Sequence, residues 1–163
     1  MAPSPPEQDL ELRDFPGSGD PGSLLPVRTR ELAPFLDALA QRRLVLQCCE
    51  GCGRLRHPIA PVCPYCRARE WRWRDCCGAG TVHSWVRYRR SYLPEFEPLM
   101  PYVVVCVELA EGPRMFGRLA DGADDVRIGM PVRAIVERCA GGDCVVAFVA
   151  ADAQLRPPCS AHS

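Results

Sequence analysis

Two Cys-x-x-Cys units, Cys49/Cys52 and Cys63/Cys66, lie ten residues apart and constrain this chain more than anything else in it. Each unit offers two thiols from one tight turn. Four thiolates at this spacing can close a tetrahedron around a single metal ion. Gly53 follows the first unit, where a residue without Cβ lets backbone N–H groups approach the sulfurs. Arg67 stands at the matching place after the second. Cys48 would leave a three-residue gap to Cys52, so Cys49 is the better ligand. His57 is assigned to packing or surface, because four cysteines already complete the set. A closed four-thiolate shell leaves no position for water or substrate, so structural zinc is expected rather than a catalytic ion. Iron, as in a rubredoxin-like centre, is the competing occupant.

With 163 residues the chain is one domain or two small ones. It has no apolar run of about 18 residues, so nothing in it reads as a membrane span. The opening Met-Ala-Pro-Ser-Pro-Pro-Glu has neither the basic start nor the apolar stretch of a secretory signal. A cytoplasmic location is therefore expected. There, metal binding explains four of the eleven cysteines better than a disulfide framework does. Formal charge is zero, yet Arg42 to Arg90 carries eleven arginines against Glu50, Glu70 and Asp75, a net +8 balanced elsewhere. Such a basic middle suits an anionic partner or is a solvated arginine-rich surface.

Residues 1–30 hold six prolines and little apolar surface. They are expected to be a flexible arm or one laid along a partner. Residues 31–77 read as a helix plus the metal ribbon. Pro34 suits a first helical turn, and Phe35, Leu36 and Leu39 share one face over Glu31–Arg43. Leu44–Leu46 reads as a strand, and Trp71–Arg74 alternates at period two. Residues 78–152 change texture. Thr81–Arg89 alternates, with Val82, Ser84, Val86 and Tyr88 expected on one side and His83, Trp85 and Arg87 on the other. Arg90–Pro101 reads as a long loop. Tyr102–Leu109, Arg114–Ala120, Val132–Cys139 and Cys144–Ala150 read as four further strands. Five strands without a long helix predict a mainly β chain: an N-terminal helix, a rubredoxin-like zinc ribbon and a five-stranded OB-fold barrel. Residues 153–163 read as a loose tail.

Several segments carry a resemblance in order. They are Phe35-Leu-Asp-Ala-Leu with Leu44-Val-Leu-Gln-Cys, Cys49-x-x-Cys-Gly, Pro61-Val-Cys-Pro-Tyr-Cys, Trp71, Gly78-Ala-Gly-Thr-Val-His-Ser, Pro101-Tyr-Val-Val-Val-Cys-Val-Glu-Leu, Arg118-Leu and Val126-Arg-Ile-Gly-Met-Pro-Val. Over residues 33–150 the chain resembles the acyl-CoA-associated zinc-ribbon/OB-fold family, long a domain of unknown function. The resemblance implies a non-catalytic accessory subunit of a thiolase-fold enzyme (ketothiolase, acyltransferase or steroid side-chain aldolase) or of a MaoC-like hydratase. It also implies acyl-CoA as a shared ligand. With the local charge, it suggests Phe35, Arg54, Arg56, His83, Trp85, Arg87 and Tyr102 as contacts to acyl-CoA or partner. Arg67, the doublets Cys48/Cys49 and Cys76/Cys77, and the N-terminal extension depart from the family pattern.

No Ser-His-Asp order, phosphate loop or paired-carboxylate motif stands out, so an enzyme by itself is not expected. Two other functions compete. One is a module binding single-stranded nucleic acid through Trp85, Tyr88, Arg87, Arg89 and Arg90. A sequence pI of about 6.8 argues against it. The other is a rubredoxin-like electron carrier.

Overall fold

The alternating and β-branched segments build two sheets on one core. A computed structural model of the chain describes residues 9–17, 27–121 and 123–151. The helix α1 spans Ala33–Ala40, with proline in its first turn. It stops short of Arg43 because the chain closes on itself there. Arg42 takes a left-handed φ of 61°. Its N–H donates to the Leu39 carbonyl and the Arg43 N–H to the Ala38 carbonyl, each at 2.8 Å. These are the two bonds of a Schellman cap.

The ribbon is a three-stranded antiparallel sheet. Its central strand β2 (Leu44–Cys49) lies between β3 (Leu55–Arg56) and β4 (Trp71–Cys76). Every residue of β2 is buried. Trp71 and Trp73 meet edge to face at 4.9 Å, so the period-two pattern covers the ribbon's own small core.

The second sheet is the barrel: β5 (Ala79–Tyr88), β6 (Tyr102–Leu109), β7 (Arg114–Leu119), β8 (Pro131–Arg138) and β9 (Cys144–Ala150). Neighbours run β5-β6-β7-β9-β8, and β8 returns to β5 to close the ring. The β7–β9 pair is parallel and the others antiparallel. This is the expected five-stranded OB-type barrel. Val103, Val105, Val107, Met115, Leu119 and Phe148 fill it, and Leu39, Leu44, Leu46 and Cys76 from helix and ribbon join the same cluster. Burial pushes the Cys76 thiol well above its ordinary range, as suits a packing residue.

Two glycines set the junction between ribbon and barrel. Gly78 has φ +71°, and a Cβ there would lie 2.8 Å from that of Ala134. At Gly80 a Cβ would meet the Glu108 carbonyl oxygen at 2.5 Å. The Gly-x-Gly segment is thus where three backbones crowd together.

Three details differ from the sequence reading. First, β5 carries a bulge between Val82 and Ser84. Val82 faces Val107, Trp85 faces Val105 and Arg87 faces Val103. Directly opposed residues share a face, so Val82 belongs with Trp85 and Arg87 rather than with Ser84, Val86 and Tyr88. Second, the Arg90–Pro101 loop contains a short 3-10 helix, Pro94–Leu99. Phe96 in it packs on Tyr102 at 5.5 Å and on Phe15 at 6.0 Å.

Third, the described part of the N-terminal arm lies on the chain's own barrel. β1 (Leu12–Asp14) pairs in parallel with Val136–Arg138. Leu10 joins the core, and its N–H donates to the Arg42 carbonyl at 2.8 Å. Glu11 pairs with Arg133 and with Arg13 (2.6 Å), and Arg13 reaches Asp121 at 2.7 Å. The Arg133 hydrogen bond, then that of Arg13, holds the Glu11 carboxyl below its usual range. The rest of the expected arm (1–8, 18–26) and the tail 153–163 lie outside the described residues.

Candidate metal centre and adjoining groove

The knuckle turns bring the four sulfurs together. Cys49 Sγ lies 3.5 Å from Cys66 Sγ, and Cys52 Sγ lies 3.7 Å from Cys63 Sγ. All four sulfurs fall within 4.8 Å of one another. A zinc–sulfur bond of about 2.3 Å in a tetrahedron puts its sulfurs about 3.8 Å apart, so the residues present fit the ion. Gly51 is part of the cradle: a Cβ there would lie 2.9 Å from that of Ala68 and 3.3 Å from Cys66 Sγ.

Both turns have the same backbone. The Gly53 N–H donates to the Cys49 carbonyl at 2.9 Å, and the Arg67 N–H to the Cys63 carbonyl at 3.0 Å. Gly53 has φ 71° and Arg67 φ 64°. The second turn thus carries an arginine in a conformation that favours glycine.

The thiols share protons unequally. The Cys63 thiol is lowered to about 6, first by the Cys66 backbone N–H. For Cys66, the Ala68 N–H pulls down, but the Cys49 thiol, burial and the other two thiols push it up to about 12. Four sulfurs this close cannot all ionise without a compensating cation, and a dication supplies that charge. Cys48 is not of the set; its thiol donates to the Gly53 carbonyl at 3.5 Å.

Beside the centre, ribbon and barrel leave a groove of about 730 Å³. Arg54, Arg56, His57, Tyr65 and Arg74 line its ribbon side, and Glu108, Glu111 and Arg114 its barrel side. The suggested contact residues divide between two places. Arg54 and Arg56 line the groove; Phe35, His83, Trp85, Arg87 and Tyr102 do not. Arg54 lies over the Tyr65 ring at 4.4 Å. Arg56 is only 5% exposed, a burial that its sequence context did not signal. Its Nε donates to Gln47 Oε1 at 2.8 Å and its Nη2 to the Ala60 carbonyl at 2.9 Å. Phe35 packs on the core and near the His57 ring, 6.2 Å away. Burial holds His57 below its usual pKa, in keeping with a packing role.

The other group sits on the barrel. His83 is exposed, with Nδ1 4.0 Å from Glu108. Trp85 is 41% exposed. Arg87 is tied to Asp124 at 3.0 Å and to the Ala123 carbonyl. Tyr102 stacks on Tyr88 at 4.9 Å, and burial raises its phenol. Sequence reasoning missed Tyr65, Arg74, Glu108, Glu111 and Arg114 as parts of one groove. Tyr65 and Arg74 come from the ribbon and Glu108, Glu111 and Arg114 from the β6–β7 hairpin, two regions far apart in the chain that no local motif joins.

Residues 36–72 match the rubredoxin-like zinc ribbon domain of ChsH2, and residues 73–137 match the C-terminal OB-fold domain of ChsH2. The chain belongs to the ChsH2-type zinc-ribbon/OB-fold family, DUF35. A DUF35 domain-containing scaffold protein of Methanocaldococcus jannaschii is 34% identical over 104 residues, 61% of this chain and 73% of that protein. The probable enoyl-CoA hydratase alpha subunit of Thermomonospora curvata is 44% identical over 108 residues. That match takes in 66% of this chain but 33% of the hydratase subunit, so the chain spans about a third of that relative. Among solved structures, a chain of the Ltp2-ChsH2(DUF35) aldolase superposes with TM-score 0.71 at 37% identity, over 78% of this DUF35 chain and 100% of that one. Among the described residues no helix is long and apolar enough to cross a membrane.

Proposed function

We propose that this DUF35 chain is a non-catalytic accessory subunit that docks on a thiolase-fold enzyme and helps form its acyl-CoA site. The observation that carries the reading is the 37% identical match along the full length of a chain from the Ltp2-ChsH2(DUF35) aldolase, whose name joins two components. The chemistry of the chain supports it. A Cys₄ centre has no open position for Lewis-acid catalysis. His57 is packed beside Phe35 and His83 faces a carboxylate, so among the described residues neither is paired with a nucleophile.

In this reading Phe35, Trp85, Arg87 and Tyr102 meet the partner or its acyl chain, and the compartment is the cytoplasm. A MaoC-like hydratase is the second candidate partner, favoured by the relative described as a hydratase alpha subunit. Co-expression with the thiolase-like and hydratase-like products of neighbouring genes, followed by size exclusion and pull-down, tests both. A stable complex with the thiolase-like protein is expected. Failure to associate with either refutes the accessory role. A salt-dependent shift of single-stranded oligonucleotide by the free chain would favour the nucleic-acid reading instead.

A further inference from the structure

Strand β1 of the N-terminal arm lies along a seam that the barrel itself leaves open. β5 accompanies β8 only over Pro131–Arg133, because at Gly78 the chain belongs to the crossing into the ribbon. Beyond that point, over Val136–Arg138, this side of β8 is paired by the arm. The Val136 N–H donates to the Glu11 carbonyl at 2.9 Å, and the Phe15 N–H donates to the Arg138 carbonyl at 2.8 Å. The Leu10 side chain enters the core beside Gly78, where a Cβ would lie 3.5 Å from Leu10 Cδ2. Glu11 meets Arg133, Leu12 packs on the core, and Arg13 meets Asp121 at 2.7 Å. The seam therefore selects a segment in two ways. Backbone bonds demand an extended chain, and an apolar pocket, a cation and a carboxylate sort its side chains.

The arm is an added occupant of this seam. The five barrel strands close their ring without it, and the family domains match residues 36–137, all beyond it. Its hold is also slight. It has a strand of three residues, one fully buried side chain (Leu10), bonds to Arg42, and ion pairs between part-exposed groups that salt screens.

We propose that the Val136–Arg138 seam is a docking site for an extended segment of a partner protein, and that residues 9–15 are its built-in competitor. The segment runs parallel to β8 and carries an apolar residue for the pocket beside Gly78, an acid for Arg133 and a base for Asp121. Tethering keeps the arm at high effective concentration, so a partner docks only by displacing it. None of these residues lines the ribbon–barrel groove, so the site stands or falls separately from the accessory-subunit reading.

The test uses the zinc-loaded full chain and, as probe, a dye-labelled peptide of residues 9–16, followed by anisotropy and by backbone amide exchange. In the Leu10→Asp/Glu11→Arg variant the chain's own arm is released. The Val136 amide should then lose its exchange protection while the amides of β6 keep theirs. That variant should bind the probe at least tenfold more tightly than the parent does. A second comparison reverses one charge. The Leu10→Asp/Glu11→Arg variant should prefer the native probe over a probe carrying Glu11→Arg by tenfold or more, and an Arg133→Glu variant should show the opposite preference. Arg133 is half-exposed, so this comparison does not depend on the core change at Leu10 being tolerated. Equal probe binding by the parent and the arm-released variant would overturn the inference. So would a Val136 amide that stays protected, or an Arg133→Glu variant that does not prefer the charge-reversed probe.

Discussion

Replacing Arg67 by glycine should stabilise this protein, and the two zinc turns set the size of the effect. They are near duplicates: φ is 71° at Gly53 and 64° at Arg67, and the N–H groups of these two residues donate to the Cys49 and Cys63 carbonyls at 2.9 and 3.0 Å. A left-handed backbone costs an L-residue about 1–2 kcal/mol. Glycine brings a greater loss of chain freedom on folding, roughly 0.5–1 kcal/mol. The difference favours Arg67→Gly by about 0.5–1 kcal/mol, since Arg67 is exposed and forms no ion pair among the described residues. In a domain of this size that is a rise in Tm of about 1–4 °C. The reverse change, Gly53→Ala, should lose a similar amount, because a Cβ there meets nothing within 4 Å and only the backbone is strained. Arg42 supplies a control. It shares the left-handed conformation, but its Nε donates to the Leu10 carbonyl at 2.7 Å and pairs with Asp9 at 2.9 Å. Arg42→Gly therefore gives up those contacts and should be neutral or destabilising. Thermal unfolding of the three zinc-loaded variants, followed by circular dichroism, decides the matter. If Arg67→Gly melts at or below the parent temperature, the argument from turn geometry is wrong.

Gly80→Ala should cost about 3 kcal/mol, at the upper end of overpacking, because its Cβ collides with backbone at 2.5 Å; a denaturant midpoint matching that of Gly142→Ala, which has open space for its Cβ and carries only the strain of a φ of +88°, about 1–2 kcal/mol, would contradict this. Purified protein should be colourless with one zinc per chain by elemental analysis, and a red iron-bearing product would reverse that assignment. Chelation, or Cys49→Ser with Cys63→Ser, should unfold the ribbon and abolish partner association; a complex formed normally by that variant would remove the structural role of the metal. Stability should also fall as pH drops below about 6.5, the ordinary histidine value, because half-buried His57 stays neutral while the unfolded chain takes up the proton; the decline levels off below the lowered folded pKa. His57→Gln should flatten that limb of a pH–stability curve.

Much of this molecule was legible from its residues alone. Cys-x-x-Cys spacing determined the metal set, since the geometry of two short turns needs no distant information. Local β-branched content delimited Tyr102–Leu109 and Cys144–Ala150 to the residue. Five strands after a ribbon were enough to reach the barrel. What a one-dimensional pattern cannot carry is any event that depends on a neighbour far along the chain. The bulge after Val82 exists because β5 must serve β6 along its length and β8 at its start, and it transfers Trp85 and Arg87 to the face of Val82. Arg56 looks like a surface arginine in sequence; Gln47 and Ala60, across the ribbon, bury it. The Leu12–Asp14 strand has too little apolar content to be read as one, and it forms because β8 offers an unpaired stretch beyond its partnership with β5. The four thiols were determined by local spacing, whereas the charged groove beside them arose only when ribbon and barrel closed on a common core.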